Sequence, residues 1–276
     1  MFSSRILKFA GKVTLISTGT AIFLYPNITN AAEVDKRQES VSWDSNWDKR
    51  NPDVMLEHYK FRLKKKALEN EKSREEFSTK ASRHILLIRH GQYNIKGSED
   101  EERKLTEIGR LQAHETGKRL KDLALPYTMF VSSTMQRAKE TAEIIENYLP
   151  IKIGIYDDNL REGMPYPPEP PIMMYRSEYR YHEDGARIEA AYRRYFKRTD
   201  PGQTEDSYDI VVCHANVIRY FICRVLQVSP SAWARMDLKH ASITWVVIRP
   251  NGEIRIRQVG DCGHMPVKLM TSKNSS

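Results

Sequence analysis

From about residue 83 onward the apolar positions fall into short runs separated by polar stretches of helical period. Ile85-Leu86-Leu87-Ile88 is such a run; it ends abruptly in Arg89-His90-Gly91 and reads as a buried strand that delivers a histidine. A polar loop follows, then Thr106 as an N-cap and a helical pattern through Leu111, His114, Leu120 and Leu123. Tyr127 to Val131 predicts a second strand, running into Ser132-Ser133-Thr134, and Met135 to Tyr148 a helix. Ile151 to Ile155 predicts a third strand, and Asn159 to Pro171 is a proline-rich loop. A helix is expected over Ala186 to Arg198, then a buried strand, Ile210 to Cys213, that ends at His214 before a helix over Asn216 to Leu226. Ser242 to Ile248 and Glu253 to Val259 should pair as a hairpin around Pro250-Asn251-Gly252. Strands alternating with helices imply an α/β fold, a three-layer α/β/α sandwich on a mostly parallel central sheet. Its site should open at the carboxyl ends of the strands, where Arg89-His90 and His214 fall.

The chain before residue 83 has a different pattern. Residues 1–32 contain no acid and carry Arg5, Lys8 and Lys12 ahead of the mostly apolar Val13 to Ile28, which reads as a targeting or membrane-anchor segment. Ser17, Thr18, Gly19 and Thr20 weaken it as a span, and Ala31-Ala32 leaves later cleavage open. Residues 33–82 are a polar linker. Within it, Trp43-Asp44-Ser45-Asn46-Trp47-Asp48 imitates the opening of a calcium loop, but Lys49 and Met55 stand where the turn glycine and the bidentate glutamate belong, so no metal is expected. Two tryptophans in a polar linker need a surface to bury them, either a partner's or that of their own domain. Val54 to Phe77 reads as a solvated helix with a narrow apolar stripe. The domain proper is expected over 83–276.

Composition narrows the class. At 276 residues, 40% hydrophobic and 29% charged, the chain is long enough for a real core with polar extensions. A formal charge of +8 suits nucleic acid, an anionic membrane or phosphorylated substrates, and no zinc-finger or RNA-recognition pattern supports the first. Cys213, Cys223 and Cys262 are too few and too unevenly spaced for a disulfide framework or a metal clamp. His58, His84, His114, His182, His240 and His264 receive no role.

Four separated segments resemble the histidine phosphatases, the phosphoglycerate-mutase-like superfamily. They are Leu87-Ile88-Arg89-His90-Gly91, Leu105-Thr106-Glu107-Ile108-Gly109-Arg110-Leu111-Gln112-Ala113, Ser132-Ser133 with Arg137-Ala138 and Thr141-Ala142, and His214 at the start of a helix. The resemblance implies that His90 is the nucleophile, becoming a phosphohistidine, with no cofactor or metal. A phosphate monoester carries nearly two negative charges, which Arg89, Arg137 and His214 would mask. Glu162, in Arg161-Glu162-Gly163, is the candidate acid for the leaving alkoxide and the base that then activates water. Asn94 comes sooner than the family's usual asparagine, which leaves its contact with phosphate open, and the residues after Glu162 differ from those of true mutases.

Within the family the resemblance is nearest a mitochondrial, membrane-anchored branch of protein serine/threonine phosphatases. It is carried by the tryptophan segment, Leu160-Arg161-Glu162-Gly163, Glu183 to Ala191 and Cys213 to Tyr220. That likeness implies phosphoserine and phosphothreonine proteins as substrates, with stress-signalling kinases among the candidate partners. It also implies a single-pass anchor in a mitochondrial membrane, the outer one being the candidate, and homo-oligomers formed through Trp43, Asp44, Asn46, Trp47 and Asp48 that support activity. A phosphatase of small metabolites and a non-catalytic assembly scaffold are the alternative readings.

Overall fold

A computed structural model describes residues 43–51, 53–55, 57, 58, 61, 80–172 and 177–272. The anchor expected over 1–32 and most of the helix expected over 54–77 lie outside these residues. Contacts divide the chain into two units, Met1–Ser42 and Trp43–Ser276, and all the described residues belong to the second. Among the described residues no helix is long and apolar enough to cross a membrane.

The apolar run forms β1 (Arg83–Arg89), all seven residues of which are buried. It lies inside a six-stranded sheet of order β3-β2-β4-β1-β5-β6. The others are β2 (Tyr127–Ser133), β3 (Ile155–Asp157), β4 (Ser207–Cys213), β5 (Ile243–Ile248) and β6 (Ile254–Asp261). β1 to β4 run parallel, and β5 and β6 form the expected antiparallel hairpin at one edge. Because side chains alternate across a strand, β1 feeds two cores. Ile85 and Leu87 meet α3 (Glu178–Tyr195) and α4 (Ala215–Val225), while Leu86 and Ile88 meet α1 (Glu107–Asp122) and α2 (Gln136–Glu146). Helices therefore cover both faces, giving the three layers.

Three elements depart from the sequence pattern. In α1, Leu111 is half exposed, and the buried face is Gly109, Gln112, Ala113, Thr116, Gly117 and Leu120. That face is polar because it serves the neighbouring backbone: Gln112 accepts from the Gln92 amide and donates to the Leu269 carbonyl. The third strand begins at Ile155 rather than Ile151, since the Ile153 amide is taken by the Glu146 carboxylate at 2.6 Å. α3 starts eight residues earlier than the apolar period indicates; its first half is mostly exposed and carries no apolar stripe to read.

Candidate active site

Arg89 and His90 leave the end of β1 at the centre of the sheet, beside the end of β4. The His90 amide donates to the Cys213 carbonyl, and Gly91 then turns the chain against α1. A Cβ on Gly91 would lie 2.5 Å from the Gly109 carbonyl oxygen, so this close approach requires glycine. Thr106 caps α1 by accepting from the Gly109 amide, and its own amide donates to Gln92. The Leu105 to Ala113 segment thus supports the turn beneath the histidine.

His90 is 2% exposed. Its Nδ1 donates to the Gly91 carbonyl at 2.8 Å, which leaves the lone pair on Nε2. Arg137 Nε donates to that Nε2 at 3.3 Å. Burial, then the charges of Arg137, His214, Arg89 and His240, hold the His90 imidazole far below its ordinary pKa. It is a neutral nitrogen base with one ring atom fixed and the other aimed into a cationic cleft.

The cations are held differently. Arg89 Nη1 donates to the Leu238 and Ser272 carbonyls, and Nη2 meets His240 Nε2 at 2.9 Å. Three of its five N–H donors are engaged in this way, and the buried Nε has no partner among the described residues. That free edge suits an oxyanion. Arg137 sits on α2 over the Tyr93 ring, 4.6 Å from its centroid. Its Nη contacts are weak, one long at 3.4 Å to Asp100 and one at 3.5 Å to the Met135 sulfur, a poor acceptor, so an incoming phosphate has little to displace.

His214 is the N-cap residue of α4 and fully buried. Its Nε2 lies 2.9 Å from Ser133 Oγ, which also accepts from the Met135 amide. Nδ1 is buried and without a partner among the described residues, and it carries the N–H when the Ser133 hydroxyl donates to Nε2. Burial, then Arg137 and Arg89, hold this imidazole well below its ordinary pKa, so a neutral ring faces the cleft.

Glu162 is half-buried, and its Oε1 accepts from the Gly163 amide at 3.2 Å. Burial raises its pKa against the opposing pull of Arg137, the Gly163 amide, Arg89 and Arg219. The loop that carries it is tied down from α3. Arg187 donates to the carbonyls of Arg161 and Asn159 at 2.7 and 3.1 Å and pairs with Asp184, which accepts from the Met164 amide. Gly163 packs against that Asp184 carboxylate, where a Cβ would lie 2.4 Å away.

Comparison with known proteins fits this geometry. The model of the histidine phosphatase superfamily (branch 1) matches residues 85–261. The chain belongs to that superfamily. It is 50% identical over 229 residues to the Xenopus laevis serine/threonine-protein phosphatase PGAM5, mitochondrial, covering 83% of each chain. It is 47% identical over 230 residues to the human protein of the same name, covering 83% of this chain and 80% of that one. In fold it is similar to Bacillus stearothermophilus YhfR, with a TM-score of 0.52 and 22% identity, covering 66% of this chain and 98% of that one.

For a histidine phosphatase the structure brings together Arg89, His90, Arg137, Glu162 and His214, as the motifs imply. Asn94 is exposed and its Oδ1 accepts from the Lys96 amide, closing a local turn. Four participants carry no sequence signal of their own: His240 behind Arg89, Tyr93 beneath Arg137, Ser133 on His214, and Asp100, which faces Arg137 from a short 3-10 turn. Of these, Ser133 alone falls within a segment that resembles the family.

The tryptophan segment lies on its own domain. Trp47 packs on the α3 side of the core, 6.2 Å from the Tyr192 ring, and its indole N–H donates to the Gly252 carbonyl at 2.8 Å. The buried Asp48 carboxylate takes the amide, Nε and Nη2 of Arg198, whose Nη2 also reaches the Ser45 carbonyl. Asp44 exchanges two hydrogen bonds with the Gln227 side chain, the Asn46 amide donates to Asp44, and Trp43 remains 45% exposed.

Proposed function

We propose that this chain is a mitochondrial protein serine/threonine phosphatase that works through phosphohistidine. The observation that carries the chemistry is the His90 imidazole: neutral, fixed through Nδ1, its Nε2 facing Arg137. In the first step Nε2 attacks phosphorus. The bond to the seryl or threonyl oxygen breaks as the Glu162 carboxyl gives that oxygen its proton. In the second, the Glu162 carboxylate takes a proton from water as its oxygen attacks phosphorus, and the N–P electron pair returns to Nε2. The Arg89 edge, Arg137 and the His214 Nδ1–H bind the phosphoryl oxygens throughout.

The protein substrate and the mitochondrial location are drawn from the names of the relatives at about half identity. Residues 1–32 anchor the protein in a mitochondrial membrane, the outer one, and stress-signalling kinases are among its partners. Homo-oligomers form through Trp43 to Asp48 and raise activity. α3 supports such a link: it receives Trp47 at Tyr192 and ties the Glu162 loop through Asp184 and Arg187.

The test is hydrolysis of phosphoserine and phosphothreonine peptides by the full chain, set against sugar phosphates. Preference for the peptides supports the proposal, and preference for the sugars moves the chain to metabolite chemistry. Absence of turnover on both, in a folded protein, leaves the scaffold reading. Trp47→Ala loses a packed aromatic anchor, which costs about 2 kcal/mol, and should lower both oligomer size and turnover. Unchanged sedimentation in that variant argues against assembly through the segment.

A further inference from the structure

Glu162 is asked to be two species in one cycle, a proton donor first and a carboxylate afterwards. The second is the harder, because by then Arg89 and Arg137 are engaged by a phosphoryl group that carries its own negative charge. A carboxylate forming beside it needs a counter-charge that phosphate has not claimed.

Arg219, on α4, is such a charge. It stands with Arg89 and Arg137 in the field around Glu162. Its side chain is 18% exposed. Nη1 donates to Asn216 Oδ1 at 3.1 Å, and Asn216 Nδ2 donates to the Gly163 carbonyl at 3.0 Å. The guanidinium is thus tied, through one intervening side chain, to the backbone next to Glu162. Its contact with an acid is loose: Asp237 lies 3.8 Å from Nη2 and closer, at 3.2 Å, to Lys239. Nε is buried and has no partner among the described residues.

We propose that Arg219 is a positioning residue for the second half of the reaction: tied to the acid loop through Asn216, it supplies the counter-charge on which the Glu162 carboxylate forms. The inference rests on the role of Glu162 proposed above. The charged groups that face that carboxyl are Arg89 from β1, Arg137 from α2 and Arg219 from α4, while Arg187 of α3 holds its main-chain carbonyl. Those that face Arg219 are Glu162, Asp237 and, from β1, Arg89.

The experiment is the pH profile of kcat for the full chain on p-nitrophenyl phosphate. Nitrophenolate leaves without an acid, so turnover reports phosphohistidine breakdown and rises with pH as Glu162 ionises. Arg219→Gln should move that limb up by about one pH unit, making breakdown about tenfold slower on its acidic side. Arg219→Lys should restore most of the loss. Asp237→Asn removes the competing acid and should move the limb the opposite way, which a merely structural role does not predict. If Arg219→Gln fails to fold, the Asp237→Asn shift decides. A limb unmoved in these variants, while Glu162→Gln removes it, overturns the role of Arg219. A limb that survives Glu162→Gln overturns the reading of Glu162 itself.

Discussion

β1 carries an arginine-histidine pair at each of its ends, and the two are treated in opposite ways. At the amino end, Arg83 is ion-paired to the buried Asp209 and donates to the carbonyls of Tyr195 and Lys197. His84 stacks on Tyr208, accepts from the Trp245 indole and meets Asp206 at 3.2 Å, so both ring nitrogens have partners. At the carboxyl end, Arg89 pairs with no carboxylate among the described residues and keeps a free Nε, and His90 presents a lone pair. The same dipeptide has its bonding closed at one end and left open at the other, where the proposed chemistry takes place. The open end exists because the neighbouring strand also stops there, with His214 opening α4.

Exchanging the roles of the two ends should fail in both directions. His90→Ala should remove phosphatase activity by at least about 10⁴-fold with the fold intact. His84→Ala should leave activity per folded molecule unchanged and destabilise the protein by about 1–3 kcal/mol, since it strands the Trp245 N–H. Kinetics and thermal unfolding of the two variants side by side measure the contrast. An activity loss in both alike would erase it.

Asp209→Asn is the next largest expected effect. It leaves Arg83 buried without its counter-ion and should cost about 3–5 kcal/mol in unfolding, with kcat unchanged in the folded fraction. A variant as stable as the parent would mean that the Tyr195 and Lys197 carbonyls suffice for Arg83.

The smallest effect concerns His240, which supports Arg89. Burial, then the Arg89 charge, lowers its pKa to about 3. The unfolded chain takes up this proton below its ordinary pKa and the folded one does not, so stability falls as pH drops from about 6.5 toward 3. His240→Gln should flatten that slope by about 2 kcal/mol between pH 6.5 and 5. Denaturant unfolding across that range measures it, and an unchanged slope would show that His240 is not held neutral.

What could be read from the sequence divides in the same way. β1 and β4 were legible because their buried stretches Ile85 to Ile88 and Ile210 to Cys213 are continuous apolar runs, and Arg89, His90 and His214 stand where those runs break. Arg137 and Glu162 needed the family motif, since a helix arginine and a loop glutamate look alike whether they face phosphate or water. His240, Tyr93 and Arg219 could not be read. They reach the site from chain segments 151, 44 and 57 residues from their partners His240–Arg89, Tyr93–Arg137 and Arg219–Glu162, and each meets it only through the fold. α1 misled for a physical reason: its buried face is made of small and polar residues because it hydrogen-bonds the loop under His90. The tryptophan segment left two surfaces open, and the domain's own is the one it occupies in this structure.

In the mechanism proposed above, phosphate passes through His90, and Glu162 is needed chiefly to release it when the leaving group is good. The most direct measurement is a rapid-mixing trace of Glu162→Gln with p-nitrophenyl phosphate. A fast burst of about one equivalent of nitrophenolate per chain, followed by slow turnover and lost in the His90→Ala, Glu162→Gln double variant, is the result expected. Full steady-state turnover without a burst, or a burst that survives removal of His90, would contradict it.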